Sequence, residues 1–531
     1  MFTTSLLHDI VDRPPPMKSP IYNVPNDLLL KIFSVNTMIN TEDDSMMYAG
    51  HTTPITTTRF SSQVCKHWRD LILCCPTLWG PNLNLNDLTL SRSDNWAKEV
   101  LSRTKEALLD VRVHFTEIRR SQAMTSFFFK VLDEEWRRIQ YLKVTLSDRP
   151  TEYDDHRWLS ICRPTENLRS IFLHLPGNGA AAPKPLLSTH VLFSGQAPSL
   201  RSVNIRHMNF QLSAAPWLSQ LRELRLAGVF APDKILASLS AMPYLEKLEI
   251  SNSPGIHIPS WNPHHQWPKI ILPHLRCLIT RGPLEGSLML LDHITPSPGC
   301  GLDFGSHTSG TEEEVSAASA ILSRYIKDYL KTFNPYLVEL LLSQSNFAFH
   351  TPGQPDVPPF DIRIEKSGTF SNMSFLFDAF LDCPLSGISG FKFGVTDGLT
   401  FPPSDPKFSK FISQLSSVRH MVIKQSNLGY LNLWIPAESG AACFPSLEDV
   451  TLIGIGVYAQ SAEQVAAFLI WLKSVGGSIQ SLDIGYKSDL KGRGVDLSSL
   501  EQFSGLRVHW SYPDESYICG SGAPERLNFV G

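Results

Sequence analysis

Few residues are placed to do chemistry. His264 and His265 are adjacent, with His257 seven residues before the first of them. Two imidazoles at i and i+4 of a helix could hold zinc, but that spacing is missing here. No Cys, Asp or Glu stands near at a ligand spacing either. These are read as surface histidines in a Pro- and Trp-containing loop. The glycines of "PGCGLDFG" (298–305) could cradle a phosphate only between a strand and a helix N-terminus, a context not expected there. Neither G-x-x-x-x-G-K-[ST] nor G-x-S-x-G occurs. Cys65 would be a nucleophile only as an activated thiolate, and its place beside Val64 on an apolar helix side predicts an inert thiol. The acidic run "TEEE" (311–314) is read as a helix start favouring negative charge. We therefore expect no catalytic residue, no metal, no cofactor and no enzyme.

The bulk numbers narrow the class further. The 531 residues are 42% hydrophobic and 18% charged, with a net charge of −4. That balance suits a folded chain and offers no bulk attraction for nucleic acid or an anionic membrane, so neither is expected as a partner. The nine cysteines are scattered, with no C-x-x-C pair, so neither a zinc site nor a disulfide framework is expected. No signal peptide is legible at the start, and no apolar run approaches the ~18 residues of a membrane span. A reducing environment, cytoplasmic or nuclear, is the expectation.

Two helices can be placed near the N-terminus. In "VPNDLLLKIFSV" (24–35), Pro25 suits a first turn, and Leu28, Ile32 and Val35 make an apolar stripe with Leu29 and Phe33 alongside. In "VCKHWRDLIL" (64–73), Val64, Trp68, Leu71 and Ile72 share one face, which predicts a helix from Val64 to Leu73. The polar, Thr-rich stretch between them reads as a long loop. A "PTLWG" turn follows the second helix.

Beyond about residue 100 one pattern returns: Leu, two mostly polar residues, then two apolar residues separated by one. Copies include "LRSIFL" (168–173), "LRSVNI" (200–205), "LRELRL" (221–226), "LEKLEI" (245–250), "LVELLL" (337–342), "LEDVTL" (447–452) and "IQSLDI" (479–484), with looser ones at 139, 275 and 418. Apolar residues two apart predict a short strand with one buried face. Units that cannot bury their faces alone must stack, so a curved solenoid of parallel strands is expected.

The opening segments together resemble the F-box, the adaptor-binding module of cullin–RING ubiquitin ligases. The form is that of mushroom-forming fungi, where a Leu-Pro-led helix, a variable loop, Val-Cys-x-x-Trp-Arg and Pro-x-Leu-Trp precede divergent leucine-rich repeats. Val24 stands in place of the usual Leu, and Asn26-Asp27 where Pro-Glu is common. The resemblance implies an α/β fold: a small N-terminal helical F-box module followed by an irregular leucine-rich-repeat solenoid, a curved parallel sheet with helices on its outer side. The expected domains are a flexible segment at 1–20, the F-box-like module at 21–82, and the solenoid at 83–531 with loop insertions near 283–310 and 343–375.

By the same resemblance, Val24, Pro25, Leu28, Ile32 and Phe33 of the first helix, with Val64, Cys65 and Trp68 of the second, form the adaptor-binding surface or the core beneath it. The implied partners are a Skp-type adaptor, through it a cullin, and an unidentified protein substrate. The implied function is that of a substrate receptor, which tethers a target near a ubiquitin-charged enzyme and performs no chemistry itself. The alternative is a non-catalytic interaction scaffold whose F-box-like helices only cap the solenoid. The two differ in whether Pro25, Ile32 and Phe33 are exposed or buried.

Overall fold

The structure, a computed structural model, describes residues 24–37, 53–88, 94–115, 122–146, 156–174, 191–206, 215–228, 232–252, 267–308, 312–366, 374–396, 405–433, 444–456, 461–477, 479–512 and 514–530. The expected flexible segment 1–20, His257, His264 and His265 lie outside the described residues. The chain divides into two compact units, Met1–Pro176 with Leu192–Leu200, and Gly177–Val191 with Arg201–Gly531.

The first unit carries three short N-terminal helices, α1 (Asn26–Val35), α2 (Pro54–Ser61) and α3 (Lys66–Leu73). Four strands follow: β1 (Leu83–Asn84), β2 (Leu109–Phe115), β3 (Ile139–Leu146) and β4 (Ser170–His174), all parallel and paired in sequence order. In β2 the alternation Leu109, Val111, Val113, Phe115 points inward. Helix Gln122–Glu134 packs Phe128 against Phe115 from that face, with ring centroids 5.6 Å apart.

The second unit begins with β5 (Ser202–Arg206), β6 (Glu223–Gly228) and β7 (Lys247–Asn252), parallel neighbours in register. Next come β8 (Ile270–Leu272), β9 (Cys277–Pro283), β10 (Ile294–Pro296) and β11 (Gly301–Thr308). Strand β9 joins β7 and β11 in parallel, while β8 and β10 form a separate two-stranded pair. Three further strands follow, β12 (Leu337–Leu342), β13 (Asn346–Thr351) and β14 (Phe360–Lys366). After them come β15 (Gly390–Val395), β16 (His420–Lys424), β17 (Asp449–Ile453), β18 (Ser481–Tyr486), β19 (Arg507–Ser511) and β20 (Glu515–Ile518).

These later strands overturn the expected curved parallel leucine-rich-repeat solenoid. The neighbour of β11 is β14, not β12; β13 runs antiparallel to both β14 and β12, and β12 is the strand that meets β15. At the other end β20 is antiparallel to β19. The sheet of this unit is therefore mixed and open, with its middle strands out of sequence order. Connection length is the cause. Parallel neighbours need a crossover of roughly a dozen residues or more, and only 343–345 separate β12 from β13. The segments 352–359 and 512–514 are likewise too short for a crossover, so the chain can only turn back.

Two expected loop insertions are corrected for the same reason. Segment 283–310 contains helix Leu284–His293, β10 and β11, and segment 343–375 contains β13 and β14. Gly301 obscured β11, yet a Cβ there would lie 2.6 Å from the Pro359 carbonyl oxygen, so the glycine serves a close backbone approach rather than a phosphate.

Where the repeat pattern was read correctly, its leading apolar residue lies just before the strand. Leu168, Leu221, Leu245, Leu275, Val418 and Leu447 are all buried. After several leaders the next residue's carbonyl accepts from two amides of the following turn. The Arg201 carbonyl accepts from the amides of Arg222 and Glu223, that of Arg222 from Glu246 and Lys247, and that of Arg419 from Glu448 and Asp449. These stacked turns satisfy backbone groups that would otherwise be buried and unpaired.

Candidate protein-interaction site

The site is built on α1, whose sequence is apolar on two sides. Leu29 and Phe33 point inward and are buried, at 1% and 4% exposure. On the other side Leu28, Ile32 and Val35, spaced i, i+4, i+7, are 50%, 54% and 62% exposed. Pro25 caps the helix start, its carbonyl accepting from the amides of Leu28 (3.0 Å) and Leu29 (3.1 Å), and it is exposed. Val24 is half-buried.

The second expected helix starts later than its periodicity predicts. Val64 lies in the turn between α2 and α3, its amide donating to the Ser61 carbonyl, and is 65% exposed. Cys65 is extended, with φ −154° and ψ 166°, and its Sγ accepts from the Trp68 amide at 3.4 Å as the cap of α3. It is thus a capping thiol and not a member of an apolar helix face. Trp68 is half-buried and packs edge-on against Phe33, with centroids 4.9 Å apart at 71°.

Apart from the half-buried Val24, the eight predicted residues fall into two groups. Phe33, Cys65 and Trp68 meet within the module. Pro25, Leu28, Ile32 and Val64 face solvent. Two further exposed apolar residues were not among them. Val35 was legible as the i+7 member of the α1 stripe. Phe60, 55% exposed, sits on α2, inside the stretch read as loop. Pro54 at the first turn of α2 and Thr53, whose Oγ1 accepts from the Thr56 amide, were the missed start signal.

The turn after α3 fixes the module to the rest of its unit. Trp79 is fully buried, and its Nε1 donates to the Ile72 carbonyl at 2.9 Å. Arg103 lies 4.6 Å over the Trp79 ring and 5.4 Å over Trp96, and Arg59 of α2 sits 5.3 Å over Trp96 from another side. These cation–π contacts link α2 to helix Asn95–Thr104.

Among the described residues no constellation for chemistry appears. Among the described residues no group of three or more His, Cys, Asp or Glu could hold a metal ion. Burial pushes the Cys383 and Cys519 thiols up to about 11, and Cys300 higher still. Trp217 and Trp471 are buried and belong to the core. Three neighbouring arginines are paired: Arg222 with Glu246 at 2.6 Å, Arg225 with Glu223 at 3.7 Å, and Arg201 with the Gln220 amide oxygen at 2.8 Å. No described helix is long and apolar enough to cross a membrane.

No family model matches the sequence, and no curated protein matches it. Among solved structures, the chain is similar to the leucine-rich repeat-containing protein LegL7 from Legionella pneumophila. The identity is 13% and the TM-score 0.25, covering 62% of this chain and 97% of that one. A likeness at that TM-score carries no argument about fold or function.

Proposed function

We propose that this chain is a non-catalytic protein-interaction scaffold. One observation carries the reading: α1 buries one apolar side and leaves the other, Leu28, Ile32 and Val35, in solvent, while Phe60 and Val64 are exposed in the same module. Three large aliphatic side chains in line on one helix are costly to hydrate, and such stripes mark surfaces that a partner covers.

The same stripe admits a narrower reading, since of the three residues that separate receptor from cap, Pro25 and Ile32 are exposed and Phe33 is buried. A helix that merely capped the neighbouring strands would turn its widest apolar side inward, and α1 does not. The receptor reading therefore assigns Pro25, Leu28, Ile32 and Val64, with Val24 at the edge, to contact with a Skp-type adaptor. Phe33, Cys65 and Trp68 would hold the helices that present them. Delivery of a bound protein to a cullin-based ligase would then be a matter of proximity, with the chemistry supplied elsewhere.

Co-expression with a Skp-type adaptor tests this. The receptor reading expects a stoichiometric complex that Ile32→Asp abolishes while the variant keeps the wild-type circular dichroism spectrum. Absence of a complex with folded wild-type protein would remove the receptor reading and leave the scaffold one.

A further inference from the structure

We propose that the solvent face of the second unit's sheet, between β5 and β14, docks an extended acidic peptide. The proposal rests on the interaction-scaffold reading and supplies the chemistry of a partner. Strand register sets Arg206, Ala227, Ser251, Arg281, Gly305 and Arg363 side by side on the six neighbouring strands β5, β6, β7, β9, β11 and β14. Three guanidiniums thus rise from a floor of alanine, serine and glycine, with no large side chain standing between them.

The adjacent row holds the matching acids. Arg206 Nη2 reaches Glu249 Oε1 at 3.5 Å, and Arg281 Nη2 reaches Asp303 Oδ2 at 2.5 Å. Arg363 forks onto Asp361, Nε to Oδ1 at 3.1 Å and Nη2 to Oδ2 at 2.5 Å, while His350 of β13 faces the same carboxylate at 3.4 Å. In each pair the acid lies deeper. The Arg363 side chain is 61% exposed over Asp361 at 9%, and Arg281 is 55% exposed over Asp303 at 27%. The row on the other side carries His307 and the exposed Glu365, which bound the site.

Over the arginine row an approaching partner meets cations first, because Glu249, Asp303 and Asp361 lie beneath the guanidiniums they pair with, while the exposed Glu365 stands at the edge. One carboxylate engages at most two of a guanidinium's five N–H donors, so outward donors remain on Arg281 and Arg363. Strands lie ~4.8 Å apart, which puts these two arginines, two strands apart, ~10 Å from each other. A polyproline-II chain advances ~3.1 Å per residue with about three residues per turn, so acidic residues three apart share one face at about that separation. Gly305 lies between the two guanidiniums and leaves the gap open.

Fluorescence anisotropy on the purified full chain tests the proposal, using labelled peptides of Glu-Ser-Gly repeats, Gln-Ser-Gly repeats, and oligo-dT. The glutamate peptide should bind in a salt-sensitive way and the glutamine peptide should not. The double variant Arg281→Gln, Arg363→Gln should weaken binding by about tenfold or more. Gly305→Asp should weaken it comparably, because the added carboxylate would take up donors of the guanidiniums on either side; a Cβ there meets only Arg281 Cγ at 3.4 Å and Cδ at 3.9 Å.

Ile32→Asp, in the other unit, should leave peptide binding unchanged. A failed adaptor complex with intact peptide binding would therefore sink the receptor reading alone. No binding of the glutamate peptide to wild type, or unchanged binding in both sheet-face variants, overturns the proposal. Oligo-dT binding as tightly and lost in the same variants also overturns it, in favour of a nucleic-acid surface.

Discussion

At the residue scale, the same chemical type plays opposite parts according to the side of the helix it occupies. Phe33 and Ile32 are neighbours in sequence, yet one is 4% and the other 54% exposed. Phe33→Ala should destabilise the first unit by about 3 kcal/mol, since it empties the space against Trp68, whereas Ile32→Ala should cost well under 1 kcal/mol. Chemical denaturation of both variants checks the contrast. The cysteines divide in the same way. Burial raises the Cys383 and Cys519 thiols to about 11, so at pH 8 both stay protonated and inert, while the exposed Cys74 should be alkylated first. Iodoacetamide labelling followed by peptide mapping reads this order directly.

At the element scale, connection length decides strand direction. Strands β12 and β13 pair Leu340 with Phe349 across a hairpin of three residues. The inward face of that hairpin is aromatic: Phe347 lies 5.5 Å from Phe377, and Phe349 lies 4.7 Å from Phe380. Phe349→Ala should therefore cost about 3–5 kcal/mol, as for other fully buried phenylalanines, and lower the denaturation midpoint of the second unit. The edge strand β20 is held differently. Glu515 accepts from Lys487 Nζ at 2.8 Å and from Trp510 Nε1 at 3.2 Å. The Lys487 hydrogen bond, ahead of the other causes, holds its carboxyl below the usual range. A depressed carboxyl pKa contributes stability that is present above the ordinary glutamate range and lost as pH falls through the folded value. Glu515→Gln should flatten that part of the acid dependence of thermal stability between about pH 5 and 3.

At the scale of the whole molecule, each unit has its own core. In the second unit a phenylalanine cluster links strands to helices, with Phe377 5.3 Å from both Phe408 and Phe411. Such a core fixes one packed state, which suits a chain whose proposed work is to hold surfaces in place rather than to move. The two proposed surfaces lie in different units, the α1 stripe in the first and the arginine row in the second. Variants of one should therefore leave the other's binding intact. If the proposed adaptor complex forms, titrating the acidic peptide into it should give the same affinity as for the chain alone.

The sequence by itself determined the local pieces: the period-2 strands with a buried leader, the apolar stripe of α1, and the turn after α3. These depend on nearest-neighbour spacing, which a chain carries with it. The start of α3 was misplaced because the same apolar spacing continues through the turn, and only Cys65's extended backbone ends it. Sheet order was not legible. Strands β12, β13 and β14 have the same alternation as their neighbours, so nothing in periodicity says that β14 will reach β11 before β12 does. That choice rests on which long-range pairing buries most surface once the short turns have fixed direction. The arginine row has the same origin. Arg206, Arg281 and Arg363 lie 75 and 82 residues apart in sequence, and register alone makes them neighbours.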